Sequence, residues 1–128
     1  MSQDQVARVK QYLLDKPFTI EDYPFGPDVM VPRVKTKMFA TLSPGKDSDY
    51  YWLNLKCEPT EALMLRDIFP SIMPGYHMNK THWNTVVLDG SVPMSEIERM
   101  IDNSFMLVVN GMKKSDQKSV LLQLNTGQ

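Results

Sequence analysis

Residues 29–42, VMVPRVKTKMFATL, alternate in the manner of a β-strand for far longer than the usual strand of about 5–6 residues. The run is therefore expected to double back as two strands, 29–34 and 37–42, joined by a tight turn at Lys35-Thr36. Neither turn residue is the Gly or Asn that such a turn favours. A hairpin here commits its surroundings to antiparallel pairing.

The flanking segments fit that frame. Residues 2–15 have Val6, Val9, Tyr12 and Leu13 on one helical face and Asp4, Arg8, Lys10 and Gln11 on the other, and Lys16-Pro17 ends the helix. Residues 18–27, with two prolines and three aromatics, read as an ordered connector. Residues 43–49, SPGKDSD, form a turn cluster leading to a strand at 50–56, where Tyr51, Leu53 and Leu55 oppose Trp52, Asn54 and Lys56. Glu58-Pro59 opens a second helix that Pro70 stops. Strands are expected at 72–77 and 83–88, then a helix from Pro93 to Asn110-Gly111 and a short last helix capped by Ser115. The order α-β-β-β-α-β-β-α, plus that last helix, predicts a single α+β domain over 1–128. It is a two-layer sandwich in which a mostly antiparallel five-stranded sheet has its helices on one face. Its other face is free to be wet or to bind.

Composition excludes several classes. A formal net charge of −1 argues against a protein that coats nucleic acid through bulk charge, though not against a local basic patch. Cys57 is the single cysteine, so no internal disulfide and no cysteine-based zinc site can form. The N-terminus lacks a signal-peptide core and no apolar run reaches the ~18–20 residues of a membrane span, so a cytoplasmic location is expected.

Polar chemistry concentrates at residues 77–83, HMNKTHW. His77 and His82 have no third ligand at a recognisable spacing, so no metal is expected, and no Ser, Cys or carboxylate stands where it would make either a general base. No catalytic residue and no cofactor are assigned. Gly45-Lys46 is not a phosphate loop, since position 40 is Ala and a strand follows rather than a helix. Asn79, Lys80 and Trp83 suit phosphates, base edges and base stacking. The plainer alternatives are a loop Asn satisfying its own backbone and a half-buried Trp. Arg33, Lys35 and Lys37 flank the hairpin turn and Lys56 ends the third strand. They are either a basic wing or charges that protect a strand edge from aggregation.

The run H-M-N-K-T-H-W-N-T-V-V-L-D-G-S-V-P at 77–93 closely resembles the signature of the MmcQ/YjbR family of small bacterial proteins. Y-P-F-G at 23–26, K-M-F-A at 37–40 and L-L-Q-L at 121–124 fit its pattern too, so the likeness covers nearly the whole chain. The resemblance implies the element order derived above and, through a likeness to double-wing folds, DNA binding. The hairpin turn departs from the family, with Thr36 where relatives often have Gly.

Two functional expectations follow. In the first, a non-catalytic module binds DNA, with Lys35, Lys37, Lys56 and Lys80 on phosphates and Asn79, His82 or Trp83 reaching bases. In the second, His77, Asn79, Lys80, His82 and Trp83 line a pocket for a small molecule or a protein. A monomer or weak dimer, away from membranes, suits either.

Overall fold

The chain doubles back at Lys35-Thr36 as its length requires, with Val34 opposite Lys37 and Lys35 in the left-handed region at φ 59°. The computed structural model describes residues 2–46 and 48–125. Asp47 of the expected turn lies outside the described residues. The helices are α1 (Ser2–Leu14), α2 (Pro59–Ile68), α3 (Met94–Asn110) and α4 (Lys114–Asn125). The strands are β1 (Thr19–Asp22), β2 (Val31–Val34), β3 (Lys37–Met38), β4 (Ala40–Pro44), β5 (Tyr51–Lys56), β6 (Ile72–Pro74) and β7 (Trp83–Val87).

The α+β class holds, and the pairing is antiparallel throughout the described residues. The strand count differs from the expected five in one sheet. There are two sheets, ordered β1-β2-β3 and β4-β5-β7-β6. The additional strand β1 comes from the segment read as a connector. Its prolines fall after Asp22, leaving Thr19–Asp22 free to pair with β2.

The expected strand 37–42 divides because of a bulge. Arg33 pairs with Met38, yet Met30 pairs with Leu42, so three residue steps on one side face four on the other. The extra residue places Phe39 and Ala40 consecutively in the core, with Met38 and Thr41 on the opposite side. Ser104 of α3 secures this point. Its buried hydroxyl donates to the Phe39 carbonyl at 2.6 Å and accepts from the Lys56 amide at 2.9 Å. The Met30–Leu42 bridge makes the two sheets continuous across the bulge.

Alternation then sorts the residues. Leu42, Leu53, Leu55 and Val86 face the helices and pack with Val9, Leu13, Ile97, Ile101 and Phe105. Phe39 meets Phe105 edge-on, with centroids 5.1 Å apart. Helix α2 starts at Glu58, whose carboxylate accepts from the Glu61 amide, as the Glu-Pro start predicts. The other sheet face carries Trp52 opposite Val87, Asn54 opposite Thr41 and Thr85, and Lys56 opposite Trp83. No helix among the described residues is long and apolar enough to cross a membrane.

Candidate functional site

On the helix-free face, a cleft of about 430 Å³ lies across the junction of the two sheets. Its floor is Thr41, Trp52 and Asn54. Phe25 and Val29, from the β1–β2 loop, and Met38 form one wall. Tyr76, His77 and Met78, from the β6–β7 loop, form the other, and Ser43, Pro44 and Lys46 close the end. Trp52, Tyr76 and His77 form an aromatic series, Tyr76 edge-on to Trp52 at 5.2 Å and 4.0 Å from the His77 ring. His77 is exposed, at a left-handed φ of 59°.

The loop that supplies Tyr76 and His77 is tied down along its length. Asn79 Oδ1 accepts from the amides of Thr81 at 2.9 Å and His82 at 3.2 Å, and Lys80 Nζ donates to the Gly75 carbonyl at 2.8 Å. The Gly75 amide donates to the Trp83 carbonyl. A Cβ at Gly75 would lie 2.8 Å from that of Trp83, so only glycine allows this close approach. Arg66 of α2 spans the loop's return, donating from Nε to Asn84 Oδ1 at 2.7 Å and from Nη2 to the Lys80 and Trp83 carbonyls.

The sequence-predicted residues therefore separate. His77 reaches the cleft. Asn79 and Lys80 spend their side chains on their own loop, His82 is exposed outside the cleft lining, and Trp83 is half-buried beside Lys56. Arg33 donates to Asp22 at 2.8 Å, which with the Tyr23 amide holds that carboxyl below the usual carboxylate range. Lys35 lies 3.7 Å from Asp116 and over the Phe18 ring. Lys37 and Lys56 have no ion pair among the described residues. Of the nine residues, His77 alone is among those that line the cleft. Thr41, Trp52, Asn54, Tyr76, Lys46 and Phe25 line the cleft as well; of these, Trp52 and Asn54 carry a signal in the sequence, the alternation in β5 that sets them opposite the core. Among the described residues, no three His, Cys, Asp or Glu side chains gather closely enough to hold a metal.

Cys57 is buried, with its amide bonded to the His82 carbonyl, and burial together with Glu61 and Glu58 pushes its thiol up to about 11. The native protein at pH 8 is expected to react with a disulfide reagent far more slowly than the urea-unfolded chain. The folded thiol holds its proton to higher pH than the unfolded one. Its contribution to stability is thus full below the ordinary thiol range and declines as pH rises toward about 11. Chemical denaturation across that range checks the sign, since Cys57→Ala should flatten the decline; equal thiol reactivity in native and unfolded protein would contradict it.

The YjbR family model matches residues 14–107. The chain is 38% identical over 111 residues to the uncharacterized protein YbdF of Escherichia coli O157:H7, covering 87% of this chain and 89% of that one. It is 39% identical over 72 residues to the uncharacterized protein YjbR of Escherichia coli strain K12, covering 56% and 60%. Among solved structures it is similar to Deinococcus radiodurans protein DR2400, described as a DUF419 domain, with TM-score 0.80, 34% identity and coverage of 90% and 86%. A Pseudomonas syringae protein superposes with TM-score 0.70 at 33% identity, covering 80% and 97%. Sequence and fold agree over most of their length, and the chain belongs to the YjbR family.

Proposed function

We propose that the domain is a non-catalytic binding module whose cleft on the helix-free sheet face takes a small organic molecule. The observation that carries this reading is the cleft itself. Its size is within the ~300–1,000 Å³ usual for ligand sites, and its lining is aromatic and apolar around a few placed polar groups. An uncovered sheet face would ordinarily be rinsed by water and lined with charge; here Thr41 and Thr85 are buried on it beneath the flanking loops. Among the described residues no hydrogen bond pairs His77 with the Thr41, Ser43 or Tyr76 hydroxyl of the lining, which supports binding over nucleophilic chemistry. DNA binding through basic wings ranks second, because Arg33 and Lys35 face Asp22 and Asp116 and Lys80 caps the Gly75 carbonyl.

The test is an NMR titration of labelled protein, with a metabolite library in one arm and a random DNA duplex at two salt concentrations in the other. Shifts are expected at Thr41, Trp52, Asn54 and 76–78 with a small ligand. Trp52→Ala, which strips the aromatic floor, is expected to weaken such a ligand at least ~10-fold. Salt-sensitive shifts at 33–37 and 77–83 with DNA alone would reverse the order of the two readings.

A further inference from the structure

The floor of the cleft is built on hydrogen bonds that all run one way. The Tyr76 amide donates to Thr85 Oγ1 at 2.9 Å, and the Thr85 hydroxyl in turn donates to Asn54 Oδ1. Asn54 Nδ2 donates to Thr41 Oγ1 at 3.0 Å. The direction is fixed by the first step. Thr85 is fully buried, so its proton needs an acceptor, and the atom of Asn54 that faces it must be the amide oxygen. The Asn54 amide nitrogen is then committed to Thr41. The chain therefore ends in the cleft on the Thr41 hydroxyl, whose proton has no acceptor among the described residues. Bonds in such a series polarise one another, which strengthens the terminal donor.

Among the other lining groups, the Ser43 and Tyr76 hydroxyls and His77 can donate or accept, so the charged groups set the sign. Lys46 is the one fully charged side chain among the described lining residues, and no described acidic residue lines the cleft. The indole Nε1 of Trp52 is buried against Gly45, where a Cβ would overlap it, so Trp52 offers the cleft ring surface rather than its N–H. The site thus joins a flat aromatic wall to a terminal hydroxyl donor and a cation, with no described carboxylate beside them.

We infer that the ligand is a flat, apolar body carrying an anionic oxygen group, a carboxylate in its simplest form, with the oxygens on Thr41 and Lys46 and the body against Trp52 and Tyr76. This rests on the reading of the cleft as a binding site and adds the sign and shape of what it holds.

Three probes of one shape separate the two levels: 1-naphthoate, neutral 1-naphthamide and 1-naphthylmethylammonium, each followed by Trp fluorescence and by amide shifts at residues 41, 52, 54 and 76–78. The carboxylate is expected to bind at least ~10-fold tighter than the ammonium, as charge-assisted bonds to oxygen require. Lys46→Gln, at an exposed position, should shrink that preference to less than ~3-fold. Thr41→Val should weaken naphthoate by ~5- to 10-fold. Asp47 follows Lys46 in sequence, and the ammonium probe reports whether its charge outweighs that of Lys46. Binding of all three probes with equal affinity, or tightest binding of the ammonium, would overturn the anion assignment and leave the cleft as a site. Absence of shifts at these residues with every probe would overturn both.

Discussion

Phe105→Ala is expected to lower the unfolding free energy by about 4 kcal/mol, the largest effect of any single substitution considered for this molecule. Phe105 is 1% exposed, sits on the α3 face that meets the sheet, and is edge-on to the fully buried Phe39. Truncation removes the transfer free energy of the ring and leaves a cavity that two packed layers cannot collapse to fill. It also strips the ring from beneath the Lys16 ammonium, 5.8 Å from its centroid, and frees the Phe39 ring at the bulge. Urea denaturation should show a lower midpoint at an unchanged slope, and the melting temperature should fall by roughly 15 °C. Phe105→Leu, which keeps most of the volume, should restore more than half of the loss. A loss below about 1.5 kcal/mol for the alanine variant would mean that this ring is not the centre of the core.

Arg66→Ala comes next, at about 2–3 kcal/mol. The guanidinium is the donor for Asn84 Oδ1, and Asn84 is 2% exposed. Without it, that oxygen is left buried without its donor, and the Lys80 and Trp83 carbonyls lose a shared one. Lysine should not rescue the site, because one ammonium cannot reproduce a planar fork that reaches three oxygens on two segments. The substitution also reaches the cleft, because the loop held by Arg66 carries Tyr76 and His77. Amide exchange over residues 76–83 should quicken well beyond the global change in stability. A variant that lost stability with unaltered exchange in this loop would show that Arg66 serves the core alone.

Much of the frame was legible in the amino-acid order. The length of the 29–42 alternation forced a turn at Lys35-Thr36, and prolines 17, 59, 70 and 93 set helix boundaries close to those observed. Two features were not legible for physical reasons. The strand Thr19–Asp22 is short, with no fully buried residue, so no apolar period marks it, and it exists because β2 offers a free edge. The bulge leaves only a short apolar run, Met38-Phe39-Ala40, within a longer pattern that still reads as alternating.

The candidate site was partly legible. Asn79 and Lys80 stood out as donors, but a sequence does not say whether a donor is spent within its own loop, and here both are. Trp52 and Asn54 were placed on the correct sheet face by the period of β5. Their partners Phe25 and Tyr76 arrive from loops distant in the chain, and only the three-dimensional path brings them together.

The extra residue at Phe39–Ala40 has an evolutionary corollary. Because the hollow straddles the junction created by a backbone irregularity held by Ser104, its existence is separable from the chemistry of its walls. Positions such as 29 and 46 can therefore drift without dismantling the scaffold, and under the proposed binding role one mould would serve different cargoes in different lineages. Across relatives, diversity is expected to collect at those rim positions while the small hydroxyl-bearing residue opposite the bulge stays fixed.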